Sequence, residues 1–291
     1  MIELDVHTHL APINAQALKA IPGVTWDPVN EALTLDGHRV GMRDLFHAER
    51  LIARMDSHQI RRALVSIPPP LYRQHLPADQ ALVWTRYLND ELLKVTERSD
   101  GRLGALYYLP LEHPHLLNSL CEGYETAGFE GIALAAGGHS EIVYSRNEYD
   151  VLWQWLDDCK AFVLLHPGCC QDPRLAPFYL ENLIGNPMET GVAAAHLVMA
   201  GVPERYPGIR FCLAHAGGTF PSLVGRMERG FDTQRPGVDI ALERPLQSAR
   251  RFYVDNIAHH PGLLTLAGQV VGQQHVVYGS DWPFPMGLAD T

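Results

Sequence analysis

The sequence predicts a single (β/α)8 barrel of the TIM type, and three observations lead to that prediction. Eight short apolar runs recur along the 291 residues, and amphipathic stretches separate most of them. Such strand–helix alternation is typical of a parallel sheet covered by helices. Neither of the Gly-rich phosphate loops, GxGxxG and GxxxxGKS/T, follows any of these runs. Their lack disfavours the alternative fold, an open doubly wound sheet that would bind its ligand where the strand order reverses.

The eight predicted strands are short and mostly continuous, as expected of strands that are buried on both faces. They are Ile2–Val6, Ala63–Ile67, Leu103–Tyr108, Gly131–Ala135, Ala161–Leu165, Arg210–Leu213, Phe252–Val254 and Val276–Tyr278. Several of the predicted helices have Pro or Asn near their start, which is typical of a helix N-terminus. These helices are Ala48–Ser57, Ala78–Arg98, Pro114–Ala127, Asn147–Asp158, Pro187–Glu204, Phe220–Phe231 and Pro261–Val270.

The connection after the first strand is unusually long. Its segment Ala11–Asp44 is rich in Pro, Gly and Asp, and long loops that follow barrel strands lie over the active face. We therefore expect a lid or a pocket wall there. Only ten residues follow Asp281, which leaves little room for an eighth helix, so a partner could close the barrel. Without a repeat or a linker, residues 1–291 are predicted to form one domain.

The charge balance excludes some classes of partner. The chain carries 23 Lys and Arg against 33 Asp and Glu, a net charge of −10. It has no long run of like charges, so no nucleic-acid partner is expected. An anionic substrate would need a local Arg or a metal ion, because the overall field repels it.

The cysteines and the apolar content indicate a cytoplasmic protein. Five cysteines without a regular spacing are typical of free thiols in a reducing compartment. The first residues, MIELDVHTHL, lack the basic and apolar regions of a signal peptide. No segment approaches the roughly 18 apolar residues of a membrane span, so no membrane contact is expected.

The sharpest motif is Asp5-Val-His7-Thr-His9 at the end of the first predicted strand. Alternate side chains of an extended strand share one face, so His7 and His9 can chelate one ion. An HxH pair alone is a weak signal, because many such pairs are chance surface residues. The position of this pair at a predicted strand end strengthens the prediction of a metal site.

Three further polar residues follow predicted strands in the same way. His166 follows Ala161–Leu165, His215 lies in LAHAGG after the sixth strand, and Asp281 lies in YGSDWPFP after the eighth. The carboxyl ends of barrel strands ring one opening, where catalytic residues of such barrels lie. A single histidine at a buried strand end is more often structural, but the five residues together favour a metal site. Asp255 ends the seventh strand, where we expect it to cap backbone amides rather than support a ligand.

Nitrogen and oxygen donors of this kind suit one divalent ion. Zn²⁺ fits best, and Mn²⁺, Fe²⁺ and Co²⁺ are the alternatives. A catalytic ion lowers the pKa of its water from 15.7 towards about 7. A neighbouring histidine that does not bind the ion could then take the proton.

The motifs HTH, HPG, AHAGG and GSDWPFP resemble the amidohydrolase superfamily. The resemblance is to its amidohydrolase-related branch, in particular to the aminocarboxymuconate-semialdehyde decarboxylase family, and it extends from Ile2 to about Gly287. It implies a mononuclear site. By position, the metal ligands would be His7, His9, His166 and Asp281, and the catalytic residues would be His215 and Asp281.

The same resemblance implies two arginines that hold carboxylates of a small-molecule substrate. Arg43 falls near the first position, within one residue, and Arg235, in GFDTQRPG, falls on the second. The family supplies the second arginine from a neighbouring subunit, so a homodimer is implied. A planar guanidinium can bind a carboxylate through two hydrogen bonds, although either residue could also be a solvated surface side chain.

Two features set limits on the resemblance. The similar decarboxylases carry Trp after the His-Pro pair, whereas this chain has Gly168, followed by Cys169 and Cys170. Without the bulky Trp side chain the pocket has more room there, which favours a different or larger substrate. The bridging lysine of binuclear amidohydrolases has no counterpart at the end of the fourth strand, which argues for one metal ion.

Three functions remain open from the sequence. The first is nonoxidative decarboxylation of an unsaturated or aromatic carboxylic acid, a carbon–carbon lyase reaction. The second is hydrolysis of a lactone, ester or amide, because attack by activated water on a carbonyl needs no other residues. The third is a metal-free binding barrel that has kept the motif.

Overall fold

The computed structural model describes residues 1–125 and 128–288, and its centre is an eight-stranded parallel sheet. In this sheet, β1 is followed in spatial order by β5 to β11. The strands of the chain are β1 (Ile2–His9), β2 (Val24–Asp27), β3 (Ala32–Leu35), β4 (His38–Val40), β5 (Ile60–Ser66), β6 (Leu103–Leu109), β7 (Gly131–Ala136), β8 (Phe162–Pro167), β9 (Arg210–Leu213), β10 (Tyr253–Asp255) and β11 (Val276–Val277).

The segment that follows β11 closes the sheet into a barrel. The amide of Val6 donates to Tyr278 O at 3.0 Å, and the amide of His9 donates to Trp282 O at 2.9 Å. A parallel bridge also joins Thr8 to Trp282. The predicted barrel is therefore confirmed, and each predicted strand overlaps an observed one. The chain closes its own barrel, so a partner is not needed for closure.

Ten helices accompany the strands in the described residues. They are α1 (Ala15–Leu18), α2 (Ala48–Ser57), α3 (Ala78–Glu97), α4 (Leu117–Glu125), α5 (Asp150–Asp158), α6 (Asn186–Met199), α7 (Val202–Arg205), α8 (Phe220–Asp232), α9 (Pro245–Ser248) and α10 (Pro261–Val271). No helix in residues 1–125 and 128–288 combines the length and apolar character that a bilayer span requires.

Three predicted helices differ from the observed ones, and one of them, 147–158, starts with a 3-10 turn, Asn147–Tyr149, before α5. The predicted helix 187–204 is divided into α6 and α7, because Gly201 has a left-handed φ of 67° that ends one helix before the next begins. The predicted helix 114–127 starts with a 3-10 turn, Pro114–Leu116, and its last two residues lie outside the described part of the chain.

The long first connection contains structure that the sequence analysis did not predict. Strands β2, β3 and β4 form a separate antiparallel sheet. Asp36 and Gly37, both with positive φ, form the turn between β3 and β4. The side chain of Arg73 bonds both carboxylate oxygens of Asp36, at 2.7 and 2.6 Å. This ion pair fastens the small sheet to the connection that follows β5.

The barrel interior is filled rather than hollow. A cluster of buried side chains takes members from six neighbouring strands and their ends, namely Val6, Leu64, Leu106, Ala133, Leu164, Cys212 and Ala214. A second, larger cluster joins the outer faces of the strands to the helices. Since apolar side chains fill the barrel below its carboxyl-terminal rim, polar side chains at that rim rest on a rigid base.

Candidate metal centre

Strand β1 brings two imidazoles to the rim of the barrel. His7 and His9 are two residues apart on an extended strand and are fully buried, so both point to the same side. Their Nε2 atoms lie 3.1 Å apart. Such a short separation, on adjacent positions of one face, is what two ligands of a single ion require.

His166 and Asp281 complete the group from other parts of the barrel. His166 belongs to β8, and Asp281 follows β11 with a left-handed φ of 57°. Asp281 Oδ1 lies 3.3 Å from His7 Nε2, 3.1 Å from His9 Nε2 and 3.9 Å from His166 Nε2. The amide of Asp281 donates to His7 O at 2.8 Å, so the closure of the barrel also positions this carboxylate.

The four side chains offer ligand atoms that lie within 4.8 Å of one another, and all four residues are buried. Ligands at about 2.0–2.2 Å from one ion lie roughly 3–4 Å apart, and the four distances given above, 3.1–3.9 Å, lie in this range. Within the described residues, His166 Nε2 and Asp281 Oδ1 are buried without a hydrogen-bond partner. Buried polar atoms are normally paired. These residues therefore fit a divalent ion.

The outward nitrogens of the three histidines determine which lone pairs face the centre. His7 Nδ1 is 2.7 Å from Asp255 Oδ2, His9 Nδ1 is 3.0 Å from Ser66 Oγ, and His166 Nδ1 is 3.1 Å from Pro167 O. An imidazole that donates from Nδ1 to an oxygen presents the lone pair of Nε2. The three Nε2 atoms therefore share the chemistry of metal ligands as well as their position.

The electrostatics of the centre favour a charged carboxylate at Asp281 beside neutral imidazoles at His9 and His166. Burial lowers the pKa of His9, and burial together with the neighbouring histidines lowers the pKa of His166 well below its usual range. Burial would raise the pKa of Asp281, but His7 and hydrogen bonds from neighbouring histidines hold that pKa well below its usual range. Against the cost of burial, Asp281 and Asp255 raise the pKa of His7 to about 10. This arrangement attracts positive charge.

Asp255 contacts a candidate metal ligand in addition to capping backbone amides, although the sequence predicts capping alone in preference. At the end of β10 it caps backbone as expected, since it accepts from the amides of His215, Ala216 and Ile257 at 2.8–3.1 Å. It also holds His7 Nδ1. One fully buried carboxylate thus both caps the backbone and supports a candidate ligand. Its position at the end of a predicted strand identifies it in the sequence, as it does the other rim residues.

Asp5 supports the same rim from below. Its Oδ1 accepts from the amide of His7 at 3.1 Å and from the amide of Ser280 at 3.0 Å. Burial raises the pKa of Asp5 to about 6, although bonds from Ser280 and His7 oppose this. The residue thus joins the HxH strand to the segment that carries Asp281.

His215 lies beside the group without belonging to it. Its Nε2 is 3.4 Å from Asp281 Oδ2, and its ring centroid is 5.1 Å from that of His166. The side chain is 18% exposed, and it lines the cavity above the centre. A left-handed φ of 55° turns the residue at the end of β9. The position suits a group that exchanges protons with a substrate.

A cavity of about 680 Å³ opens above the centre. Its inner end is formed by His166, His215 and Asp281, and Phe284 and the backbone of Gly168 lie in its wall. The cavity would be smaller with a side chain at 168, but an added Cβ would lie 2.9 Å from Gly137 O and 3.0 Å from Gly138 Cα. The neighbouring glycine turn therefore requires Gly168. Cys169 and Cys170 also line the cavity and are free thiols.

The two arginines singled out in the sequence lie apart from this cavity wall. Arg43 is exposed at the start of a 3-10 turn, Arg43–Phe46. Arg235 is exposed and donates to Thr233 O at 3.1 Å. Among the described residues, the wall contains neither Lys nor Arg. One copy of the chain thus does not bring either guanidinium to the cavity, and their role in substrate binding stays a prediction.

Comparisons with known proteins agree with this architecture. A family model described as amidohydrolase matches residues 4–290. The 2-amino-3-carboxymuconate-6-semialdehyde decarboxylase of Dictyostelium discoideum is 26% identical over 302 residues, which cover 98% of this chain and 83% of that protein.

Two solved structures show the same fold. The apo form of Metarhizium anisopliae IDCase has a TM-score of 0.80 at 22% identity and covers 97% of this chain and 85% of its own. The 5-carboxyvanillate decarboxylase of Novosphingobium aromaticivorans, solved with manganese and 4-hydroxy-3-methoxy-5-nitrobenzoic acid, has a TM-score of 0.77 at 19% identity and covers 98% and 87%. At these identities the likeness establishes the barrel fold.

Proposed function

Because this chain belongs to the amidohydrolase family, we propose that it is a metal-dependent carboxy-lyase. It removes CO₂ without oxidation from an unsaturated or aromatic carboxylic acid. The observation that carries this proposal is the convergence of His7, His9, His166 and Asp281 within 4.8 Å in a chain whose relative over 98% of its length is a decarboxylase.

These four side chains would hold one divalent ion. It would supply a Lewis acid that polarises substrate oxygens and lowers the pKa of water. We favour Zn²⁺, since three imidazoles and one carboxylate suit it. Mn²⁺ is the first alternative, because the related 5-carboxyvanillate decarboxylase structure contains manganese, and Fe²⁺ is the second. Metal analysis of the purified protein separates the three.

His215 and Asp281 handle the proton. Decarboxylation breaks the bond between the ring carbon and the carboxylate, and that carbon must gain a proton while CO₂ leaves. His215 Nε2 is close enough to Asp281 Oδ2, at 3.4 Å, for the two to pass a proton between them with small movements. His215 takes the proton from water or substrate, and Asp281 delivers it to the carbon.

A homodimer supplies the missing cation for the substrate carboxylate. In this proposal Arg235 of a second copy reaches the cavity, and Arg43, which lies outside the wall in a single copy, joins it only when the dimer forms. Exposed apolar side chains beside the cavity support an interface there, since large exposed apolar patches mark binding surfaces. They are Phe178, Tyr179, Leu183, Ile184, Met188 and Val192. We also place the protein in the cytoplasm, which an odd number of cysteines without a framework spacing supports.

Product analysis tests the proposal against hydrolysis. Metal-loaded protein is incubated with 2,6-dihydroxybenzoate, 6-methylsalicylate and 5-carboxyvanillate, which relatives or structural neighbours act on by name, and with a panel of lactones and amides. Release of CO₂, together with a product that is lighter than the substrate by the mass of CO₂, supports the lyase. A product that has gained water, without CO₂, assigns the site to a hydrolase. Failure of the protein to bind a transition metal after reconstitution would contradict both the lyase and the hydrolase proposals.

A further inference from the structure

Each turnover of the proposed reaction consumes one proton. The bond between the carbon and the carboxylate breaks, its electron pair stays on the carbon, and a proton forms the new C–H bond as CO₂ leaves. His215 and Asp281, 3.4 Å apart, lie at the inner end of the cavity, where a bound substrate separates them from solvent. The pair must recover a proton from solvent before the next turnover, so a route other than the cavity mouth has a use.

Two buried tyrosines have hydroxyls that lack a protein partner. Tyr72 and Tyr108 are 3% and 0% exposed, and neither hydroxyl makes a hydrogen bond within the described residues. The other buried tyrosines of that part of the chain each donate to a backbone carbonyl at 2.7–3.0 Å; they are Tyr87, Tyr107, Tyr144 and Tyr149. Because buried hydroxyls are normally paired, two exceptions side by side indicate a function.

Strand β6 directs one of these tyrosines to the rim of the barrel. Leu106 belongs to the cluster that fills the interior, and alternate residues of a strand share a face, so Tyr108 lies on that side, nearer the carboxyl end. Tyr107 points the other way and donates to Leu120 O in α4. Tyr72, from the connection after β5, stacks on Tyr108 with ring centroids 4.8 Å apart and planes 11° apart. The two hydroxyls without partners are therefore on rings in direct contact.

The hydroxyl of Tyr72 is the member of this pair that faces the metal centre. Burial raises the pKa of Tyr72, and negative charge at Cys169 and Asp281 raises that pKa further, which requires both groups to be near the hydroxyl. Neither tyrosine is among the described residues of the cavity wall. The pair therefore approaches the centre through the protein and not through the mouth of the cavity.

Glu112 lies at the other end of the pair, beside Tyr108. Its carboxylate contributes to the raised pKa of Tyr108, after burial and ahead of Tyr72 and Tyr144, so it is close to that hydroxyl. Oε2 of Glu112 also lacks a hydrogen-bond partner within the described residues. Burial raises the pKa of Glu112 to about 7, and the charge of Glu112 acts on Tyr149 as well. This carboxyl can therefore hold or release a proton near neutral pH.

We propose that Glu112, Tyr108 and Tyr72 form a buried path that carries a proton from solvent to the metal centre. A hydroxyl can accept and donate at once, so each tyrosine passes one proton on and receives another without becoming charged. Ordered water joins neighbouring members, as it does for many buried polar groups. Glu112, at 7% the most exposed of the three, recovers its proton from solvent. The inference rests on the proposed function and adds the source of its proton.

Turnover of the metal-loaded protein tests the path. The substrate is whichever of 2,6-dihydroxybenzoate, 6-methylsalicylate and 5-carboxyvanillate the wild type converts fastest. Tyr72→Phe, Tyr108→Phe and Glu112→Gln should each lower kcat at least about tenfold, less than the roughly 100-fold lost with a group that transfers the proton directly. KM should stay within about twofold, because none of the three residues lines the described cavity. The deuterium solvent isotope effect on kcat should rise, because proton supply becomes the slow step.

Tyr107→Phe is the matched control for these variants. It removes the hydroxyl of the adjacent residue of β6, which donates to Leu120 O at 2.9 Å on the outer side of the strand. The variant should have a lower melting temperature, because a buried hydrogen bond is lost. Its kcat and its isotope effect should match those of the wild type, which separates loss of the path from loss of stability.

Two further measurements on the metal-loaded protein without substrate do not depend on turnover. Infrared difference spectra across pH should show a protonated carboxyl band that is lost at about pH 7, is absent from Glu112→Gln and shifts in Tyr108→Phe. Tyr72→Phe and Tyr108→Phe should lower the melting temperature, because each hydroxyl loses its bonds to the water of the path. Removal of a hydroxyl that bonds nothing would raise the melting temperature instead.

Three results would overturn the path and leave the proposed function intact. They are a wild-type kcat and isotope effect in both tyrosine variants, a raised melting temperature in both, and an infrared band that persists in Glu112→Gln. Absence of CO₂ release from the wild type with all three acids would instead contradict the proposed function, and the path would fail with it.

Discussion

The carboxylate of Asp255 determines how His7 meets the metal centre. It is fully buried, and its Oδ2 lies 2.7 Å from His7 Nδ1. Because this bond occupies the outward nitrogen, the Nε2 lone pair of His7 turns towards His9 and Asp281. A residue that touches no ligand position thus decides whether one of the four donors is available.

Replacement of Asp255 tests that positioning. Asp255→Asn should weaken metal affinity by about 10- to 100-fold, as is typical when the partner of a ligating histidine is lost. Metal titration of the apo protein measures the change. Asp239→Asn makes the same replacement at an exposed residue and should have no effect. An Asp255→Asn protein with wild-type affinity would show that Asp255 serves only the backbone amides it caps.

Replacement of His215 separates proton transfer from metal binding. His215→Asn should keep the metal content of the wild type, because His215 is outside the group of four ligand atoms. Turnover should fall by at least about 100-fold, the usual loss for a general acid–base group. Metal analysis and CO₂ release are measured on the same sample, with His115→Asn as the control. Normal turnover would contradict the assigned role.

At the scale of elements, an ion pair with a buried arginine joins the small sheet to the connection that follows β5. Arg73 is nearly inaccessible, with a side chain that is 3% exposed, whereas Asp36 is 30% exposed. The guanidinium also lies 5.3 Å from the ring centroid of Trp84. Removal of Asp36 would leave a buried charge without its partner, so this contact carries more weight than the exposed ion pairs of the surface.

Denaturation compares this pair with an exposed one. Asp36→Ala should lower the free energy of unfolding by about 3 kcal/mol, because the buried Arg73 loses its partner. Glu3→Ala breaks the pair with Arg61, whose two side chains are 68% and 66% exposed, and should cost less than about 1 kcal/mol. Urea unfolding curves give both values. Equal losses would mean that solvent replaces Asp36 at no cost.

At the scale of the whole molecule, the barrel joins segments that lie far apart in the sequence. His7 and His9 are in the first strand, whereas Asp281 follows the last, and backbone bonds between these two segments close the barrel. A bound ion therefore links the two ends of the folded sheet. Such a ligand binds the folded state alone and stabilises it by mass action.

Metal removal should lower the stability of the whole barrel. A divalent ion at 100 times its dissociation constant adds about 2.7 kcal/mol to the free energy of unfolding, so a chelator should lower the melting temperature and added Zn²⁺ or Mn²⁺ should restore it. Calorimetry measures the change. His166→Ala should be insensitive to the ion, since it lacks one ligand. A wild-type melting temperature that ignores the chelator would contradict the metal site.

Glu112 makes stability depend on pH. Burial raises the pKa of Glu112 from 4.5 to about 7, and its Oε2 has no hydrogen-bond partner among the described residues. Between pH 4.5 and about 7 the folded state holds this proton when the unfolded state has lost it. The free energy of unfolding from this group therefore falls as pH rises through that window, by about 3 kcal/mol in all.

The amide variant isolates this effect. Glu112→Gln stays neutral, so it should match the wild type near pH 4 and be more stable near pH 8 by up to about 3 kcal/mol. Denaturation at both pH values measures the difference. As a control, Glu3→Gln at an exposed carboxylate should show no such divergence. A Glu112→Gln protein that tracks the wild type at both values would show that water reaches this carboxylate.

Much of the barrel could be predicted because its signals are local. Apolar runs mark strands that are buried on both faces, and the predicted helix Ala48–Ser57 is observed with the same bounds. The split between α6 and α7 depends on the backbone of one glycine, Gly201. Strands β2 to β4 are short, but Val24–Asp27 alternates apolar and polar residues and Asp36-Gly37 is a typical hairpin turn pair, so a local signal for the small sheet was present in the sequence.

The features of the site likewise divide into those that local sequence patterns predict and those that depend on contacts between distant segments. The sequence by itself predicted that His7, His9, His166 and Asp281 share one rim as candidate donors, because the carboxyl ends of parallel strands must lie at one rim. Only the tertiary structure decided which nitrogens turn inward, that Asp255 holds His7, and that Tyr72 stacks on Tyr108. These facts depend on contacts between segments far apart in the chain, and no periodicity in the sequence records them.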